Sequence, residues 1–231
     1  MRGTLRPDGH FHHGRKPRRA TADACLQFNA QSLSGAQLSA KVSRMKYLVA
    51  SGLGTAELPA GCRVVADGEF VSLEQPWDFG APLIALVDDG ADLAALKKPG
   101  VTAFTVEGQL PPGEGKAYAI GAHRMRDAEA FKPYIARVPD VIAPYGCRYI
   151  ARGGAVTPLC GAFAPERLVL MEFPSADDVV SFYFSDAYAP LLRIRLTATE
   201  PRFVLMARSG ALPESARRAV ADGLARGRAS L

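Results

Sequence analysis

Glu172 stands in the sequence environment that most clearly suggests chemistry. It lies inside the apolar run LVLMEF, and strand alternation places it on the same face as Leu168 and Leu170. A carboxylate in such a position is costly to bury unless it is protonated or paired with a cation. Arg148 and Arg152 share one face of the neighbouring predicted strand and are the obvious partners. The sequence therefore predicts that Glu172 is either a general acid or base or one half of a structural ion pair.

Two arginines and a pair of glycines nearby could bind an anionic ligand. Arg152 and Arg167 carry planar guanidinium groups that can hold a carboxylate in bidentate fashion. Arg167 could equally lie in water at a strand edge, because most arginines are exposed. Gly153 and Gly154 are expected to supply positive φ at a strand end, and the missing G-x-G-x-x-G pattern argues against a phosphate loop. We predict that these four residues contact the ligand.

Three further side chains complete the candidate set. His123 ends a predicted strand and would titrate usefully as a second catalytic group, the alternative being an exposed loop histidine. Tyr183 and Tyr188 are candidates for ligand contact, the alternative being core or dimer-contact aromatics. The four cysteines and four histidines of the chain show no zinc spacing, so we predict neither a metal site nor a cofactor.

Composition and charge narrow the class of protein. The chain of 231 residues is 48% hydrophobic and 22% charged, which excludes a mostly disordered polypeptide. Its net charge of +5 is concentrated in residues 1–44, which carry eight Lys or Arg against two Asp. The remainder is nearly neutral, so we predict no nucleic-acid partner. The longest apolar runs are far shorter than the ~20 residues of a membrane helix, and no signal sequence is evident. We therefore expect a cytoplasmic protein with free thiols and no membrane partner.

The elements that must position these residues follow a basic N-terminal stretch. Residues 1–44 lack sustained periodicity and are predicted to be disordered, although Met45 could also be the natural start of the protein. The Pro/Gly-rich run GQLPPGEGK indicates a linker. The predicted organisation is an N-terminal extension at 1–44, a degenerate half at 45–107, the linker at 108–116, a complete half at 117–207, and a C-terminal helix and tail at 208–231.

Residues 117–207 show the element order β-α-β-β-α-β, which is the ferredoxin-like plan. The first helix is expected to start at Asp127, and Ser175 is expected to cap the N-terminus of the second. Pro133 and Pro139 interrupt the first helix, so we expect a kink or two short pieces.

An internal repeat relates the two halves. Residues 61–96 align without a gap with residues 146–181, and nine of the 36 positions are identical. The first half matches the second without its first helix, which gives β-β-β-α-β for residues 46–107; chance similarity is the alternative. Each sheet would need a partner for one face, so we predict an α+β fold of tandem ferredoxin-like units whose antiparallel sheets pack face to face.

The first half lacks the charged candidates of the second. At the positions equivalent to four of the candidate residues it has Asp67, Glu69, Pro82 and Val87. We therefore predict at most one complete site per chain, the alternative being a protein without an active site. The helix predicted at 213–226 is expected to cover the sheet face that the missing helix of the first half leaves bare.

Several residues of the second half also occur in a known family. They are Gly146, Arg152, Gly153, Gly154, Gly161, the run RLVLMEFPS at 167–175, Tyr183, Ser185, Tyr188 and Arg193. On these residues the segment resembles the family called domain of unknown function 1330, a member of the dimeric α+β barrel superfamily. The resemblance implies a sheet-to-sheet interface, formed here as an intrachain pseudo-dimer, with a homodimer also open.

The same resemblance bears on function. Related barrels include small-molecule monooxygenases, isomerases and dehydratases. We therefore expect a small polar or anionic organic ligand in a cleft between the sheets. An isomerase or monooxygenase-like activity, with Glu172 as acid or base and Arg152 orienting the ligand, is one expectation. A non-catalytic structural or interaction domain is the other.

Overall fold

The computed structural model describes residues 45–227, so the predictions for residues 1–44 lie outside the described residues. None of the described helices is long and apolar enough to cross a membrane. The described residues form a mixed α+β structure, as predicted. Its elements are β1 (Lys46–Ser51), β2 (Cys62–Ala66), β3 (Phe70–Ser72), β4 (Pro82–Val87), β5 (Thr102–Glu107), β6 (Ala117–Met125), α1 (Ala128–Ile142), β7 (Arg148–Arg152), β8 (Val156–Cys160), β9 (Arg167–Phe173), α2 (Ala176–Tyr183), α3 (Ala189–Ala198), β10 (Thr199–Ala207) and α4 (Glu214–Ala225).

The strands form two antiparallel sheets of five strands each. The first sheet has the order β2-β4-β1-β5-β8, and the second has the order β3-β10-β6-β9-β7. Each sheet therefore takes one edge strand from the other half of the chain, because β8 joins the first sheet and β3 joins the second. The two orders match when β2 is paired with β7, β4 with β9, β1 with β6, β5 with β10 and β8 with β3.

The two sheets meet through a common apolar core. Alternate residues of their central strands are fully buried there, including Tyr47 and Phe104 from the first sheet and Tyr118, Leu170 and Met206 from the second. Burial of side chains of this size stabilises the folded state by about 1.5–3 kcal/mol each. Side chains thus fill the centre of the space between the sheets, where a ligand cleft was predicted.

Local capping signals define the starts of α1 and α2. The Asp127 carboxylate accepts a hydrogen bond from the Ala130 N–H at 2.9 Å. The Ser175 hydroxyl accepts one from the Asp178 N–H at 3.2 Å. The predicted N-cap at Ser175 is thus confirmed, and so is the predicted start of the first helix at Asp127. A third helix, α3, was not predicted; it carries Pro190 in its first turn, where proline is compatible with a helix.

Two prolines lie inside α1 without dividing it, so the predicted division into two pieces is wrong. A proline lacks the N–H that would reach the carbonyl four residues earlier. For Pro139 that carbonyl belongs to Ile135, and it accepts a hydrogen bond from Nη2 of Arg152 at 3.1 Å. A side chain of the sheet thus replaces a bond that the helix cannot make.

The first half has a single 3₁₀ turn where an α-helix was predicted. This turn, Leu93–Leu96, begins after Asp92 and joins β4 to β5. Gly90 and Pro99 bound this stretch, and neither residue favours the continuation of an α-helix. The predicted order β-β-β-α-β is therefore corrected to β-β-β-β-β. The leucines of the turn still pack on the outer face of the first sheet.

The prediction that the C-terminal helix covers the first sheet is also wrong, because α4 packs beside α2. Its buried residues Ala216 and Val220 join the core beneath the helices of the second half. A Cβ atom at Gly223 would come within 2.4 Å of the Phe184 ring, so only glycine permits this close approach. The physical reason is that the 3₁₀ turn and loop leucines already cover the first sheet.

Candidate functional site

A cavity lies between α1 and the helix-covered face of the second sheet. Its interior is small, because only about 20 Å³ can hold the centre of a water molecule. That is room for roughly one water, so a larger ligand requires side chains at the cavity to move. The walls are mostly apolar, and the polar side chains in the lining are His123, Tyr134, Tyr149, Arg152, Arg167 and Arg195.

The floor of this cavity is a row of residues across four strands. The strand register places Arg152 of β7 beside Val169 of β9, Val169 beside Gly121 of β6, and Gly121 beside Phe203 of β10. A Cβ atom at Gly121 would come within 3.3 Å of Nε2 of His123. The glycine therefore lets the His123 ring lie close over the centre of the row, with Arg152 at one end.

Arg152 is held in place without a carboxylate. Its Nη2 donates to the Ile135 carbonyl freed by the proline in α1, and its guanidinium carbon lies 4.7 Å from the centroid of the Tyr149 ring. Its backbone N–H donates to Oε1 of Gln109 at 2.7 Å. These contacts fix the side chain over the β7 end of the floor.

Arg167 begins β9 and lies directly across from His123 on β6. Its guanidinium carbon is 5.8 Å from the centroid of the Phe131 ring. Gly153 has a φ of +70°, as predicted for a strand end, and a Cβ atom there would come within 3.2 Å of the Arg167 guanidinium. Burial lowers the pKa of Arg167, and the positive charge of Arg152 lowers it further. The two cations are therefore close enough to repel each other.

Neither cation has a counter-ion in the described part of the chain. The ion pairs found among residues 45–227 leave out both Arg152 and Arg167. Two guanidinium groups in a partly apolar cleft favour an anion between them, because an opposite charge relieves both their mutual repulsion and their desolvation.

His123 is 2% exposed, which corrects the alternative of an exposed loop histidine. Burial lowers its pKa to about 3, and the positive charge of Arg167 contributes to the same effect. Its Nδ1 has no hydrogen-bond partner within residues 45–227. The imidazole is therefore neutral at pH 7 and has hydrogen-bonding capacity that this part of the chain leaves unused.

Arg195 enters the cavity from α3 and is fully buried. Its Nη2 pairs with the Glu74 carboxylate, which follows β3 in the first half and also accepts a hydrogen bond from the Tyr183 hydroxyl at 2.8 Å. Burial lowers the pKa of Arg195. Because its partner comes from the other half of the chain, this ion pair joins the two halves.

Glu172 lies away from the cavity, at the intersheet side of β9. Its carboxylate pairs with Arg148 and accepts hydrogen bonds from the N–H of Gly113 at 2.9 Å and of Gly115 at 3.0 Å. The Tyr118 hydroxyl donates to it at 3.0 Å. Burial raises the pKa of Tyr118, and the Glu172 charge raises it further. The carboxylate is saturated with donors and holds the predicted linker against the second sheet.

A β-bulge accounts for the separation of Glu172 from Arg152. The register of β7 with β9 shifts between Tyr149 and Ala151. One extra residue in a strand turns the side chains that follow it to the other face of the sheet. Arg148 therefore shares a face with Glu172, whereas Arg152 faces the cavity. The prediction that places Glu172 and Arg152 in one site is wrong.

Four other candidate residues, Gly153, Gly154, Tyr183 and Tyr188, also lie outside the cavity lining. Tyr183 is a core residue that hydrogen-bonds Glu74, and the Tyr188 hydroxyl lies 3.3 Å from that of Tyr134. A Cβ atom at Gly154 would come within 3.1 Å of the Glu107 carbonyl oxygen. Gly154 thus permits close packing on the first sheet.

Sequence reasoning missed Gly121, Tyr149 and Arg195 as site residues. For Arg195 a signal was present, because it stands at helical spacing from Leu191, Leu192 and Ala198, which are all buried. An arginine in an apolar helical stripe indicates a buried cation. No comparable signal marked Gly121, whose importance depends on the strand register.

Comparison with known proteins finds a match for the second half of the chain. Residues 116–208 match the family model Domain of unknown function (DUF1330), which confirms the resemblance of the second half. The matched segment includes every residue of the cavity lining. No curated protein matches the chain.

Proposed function

We propose that the protein binds a small anionic organic molecule, and that its acidic group lies between Arg152 and Arg167. The observation that carries this proposal is the pair of adjacent guanidinium groups without a carboxylate partner in the described residues. The apolar walls around them suit a hydrocarbon body rather than a free inorganic ion.

The wider architecture in this proposal is an intrachain pseudo-dimer. The matching strand orders of the two sheets support tandem ferredoxin-like units related by the internal repeat. The first half has no comparable arginine pair, since Asp67 and Pro82 stand at the equivalent positions. The proposal is therefore one ligand per chain.

Binding without catalysis is the form of this function that we favour. The cavity lining contains no carboxylate and no thiol among the described residues. His123 is its one imidazole there, and a pKa of about 3 makes it a weak base at neutral pH. An isomerase or monooxygenase-like activity would have to proceed without Glu172.

Pentanoate and its neutral isostere pentanamide provide the test, with affinities measured by NMR titration of the full chain. We expect pentanoate to bind at least about tenfold more tightly, because charge-assisted hydrogen bonds contribute about 1.5–3 kcal/mol. Arg152→Gln and Arg167→Gln should each remove most of this preference.

Arg137→Gln is the matched control, since Arg137 is an exposed arginine of α1 outside the cavity lining. It should leave the affinity for pentanoate unchanged. Equal affinity for the acid and the amide, or equal loss in all three variants, would contradict the proposal.

A further inference from the structure

An open groove lies between the linker and the β2 edge of the first sheet, apart from the cavity of the second half. About 370 Å³ of this groove can hold the centres of water molecules, against about 20 Å³ in the cavity. Val64 and Val65 of β2 line one side, and Pro111 and Pro112 of the linker line another. Val64 is 40% exposed. Apolar walls of this kind suit the hydrocarbon part of a small molecule.

The strand register shows what distinguishes this groove from the equivalent place in the second sheet. There, Arg148 of β7 lies directly across from Glu172 of β9. In the first sheet, Arg63 of β2 lies directly across from Leu86 of β4. The register thus matches Leu86 with Glu172, one residue away from the gap-free alignment, which matches Val87. Leu86 lines the groove, so an apolar side chain stands where the second sheet has a carboxylate.

The first sheet therefore keeps the cation of this arrangement without its anion. Arg148 pairs with Glu172, whereas the ion pairs found among residues 45–227 leave out both Arg63 and Arg208. Both of these arginines line the groove, and no acidic side chain of the described residues does. Two guanidinium groups without a carboxylate favour an anionic group in the groove.

Arg208 also holds the linker wall of the groove in place. Its Nη1 donates hydrogen bonds to the carbonyl oxygens of Gly113 at 2.8 Å and Gly115 at 3.0 Å. The rings of Pro111 and Pro112 fix the φ angles of the residues just before them in this wall. A wall that is ordered before a ligand arrives lowers the entropic cost of binding.

We propose that this groove is a second binding site, which takes an organic acid with a bulky apolar body. The carboxylate lies beside Arg63, at the place that corresponds to the Glu172 carboxylate, and Arg208 supplies a second positive charge. The apolar body packs against the valines of β2 and the prolines of the linker. The groove and the cavity share no lining residue, so this site is independent of the proposed function.

Titration of the full chain with 2-naphthoate and with its neutral isostere 2-naphthamide, followed by NMR, tests the proposal. The bicyclic ring is too large for a cavity with room for about one water, so binding there does not interfere. We expect 2-naphthoate to bind about fivefold more tightly than the amide, a modest preference because Arg63 is exposed to solvent. Nuclear Overhauser effects should connect the naphthoate ring protons with the methyl groups of Val64 and Leu86.

Two pairs of variants locate the carboxylate. Arg63→Gln should remove the preference for the acid, whereas Arg137→Gln, at an exposed arginine of α1, should retain it. Leu86→Glu places a carboxylate across from Arg63, in the manner of Glu172, and should reduce binding of 2-naphthoate to that of the amide or below. Leu86→Gln, which has the same size and no charge, should retain the preference.

Three results would overturn this second site. They are equal affinities for the acid and the amide, an undiminished preference in Arg63→Gln, and the absence of Overhauser effects to Val64 and Leu86. Arg63→Gln keeps the test decisive if Leu86→Glu fails to fold, because Arg63 is an exposed side chain. None of these results affects the proposed function, whose test depends on variants of Arg152 and Arg167.

Discussion

His123 shows at the scale of one residue how the site controls charge. It is buried beside Arg167, and both its burial and that positive charge oppose protonation. Its pKa is about 3 in the folded protein, against about 6.5 in an unfolded chain. As the pH falls below 6.5, His123 therefore becomes protonated in the unfolded state but stays neutral in the folded state. The free energy of unfolding decreases as a result.

This difference predicts a pH-dependent free energy of unfolding. From His123 alone we expect a loss of about 2 kcal/mol between pH 7 and pH 5. Urea denaturation of the natural protein and of His123→Phe at both pH values measures the effect. The variant should lose about that much less than the natural protein, and an equal loss in both would show that the imidazole is protonated in the fold.

At the scale of elements, the prolines of α1 affect both the stability of this helix and the position of Arg152. Pro139 leaves the Ile135 carbonyl available to Arg152, whereas Pro133 leaves the carbonyl of Glu129, which is outside the cavity lining. The two prolines thus form a natural pair for comparison.

Pro139→Ala and Pro133→Ala should each stabilise the protein by about 2 kcal/mol, because proline is disfavoured inside a helix. The gain is smaller than the helix preference alone, because losing a proline also gives the unfolded chain more conformational freedom. Only Pro139→Ala should also weaken binding of pentanoate, because the new N–H competes with Arg152 for the carbonyl. Thermal unfolding and NMR titration measure the two effects. Equal affinities for pentanoate in the two variants would contradict the proposal that the Ile135 carbonyl positions Arg152.

Local signals explain which elements could be predicted from the sequence. Asp127 and Ser175 cap helices through contacts within three residues, so their roles can be read directly. The bulge between Tyr149 and Ala151 depends on the partner strand, and no local residue marks it. That single shift is why the prediction grouped Glu172 with Arg152 as well as with Arg148, which is its actual partner.

At the scale of the whole molecule, the buried pair of Arg195 and Glu74 connects the two halves. Both side chains are at most 1% exposed, so removing one charge leaves the other desolvated and unpaired. We expect Glu74→Gln to lower the free energy of unfolding by about 3–5 kcal/mol.

The exposed pair of Glu57 and Lys98, whose charged atoms lie 3.8 Å apart, provides the control. Glu57→Gln should change stability by less than about 1 kcal/mol. Calorimetry of both variants should show one transition for residues 45–227. Separate transitions for the halves, or a small effect of Glu74→Gln, would show that the pair does not couple them.

The apolar pattern of the sequence was sufficient to predict two antiparallel sheets, but it did not identify their edge strands. The nearly continuous apolar runs in KYLVAS and RLVLMEF identify central strands that are buried in the fold. The edge strand β3 has only three residues, and β8 contains Pro158, so neither carries a strong pattern. Which sheet each one joins depends on contacts more than 50 residues apart, which no local rule describes.

The exchange of edge strands has a consequence for the order in which the protein is made. A ribosome that has released β1 to β5 has not yet translated β8, so the nascent first sheet has an open edge at β5. That edge can close only after about fifty more codons have been read and β8 has emerged. Because unpaired strand edges favour association between chains, the interval after β5 is when neighbouring nascent chains on one message are most able to join each other.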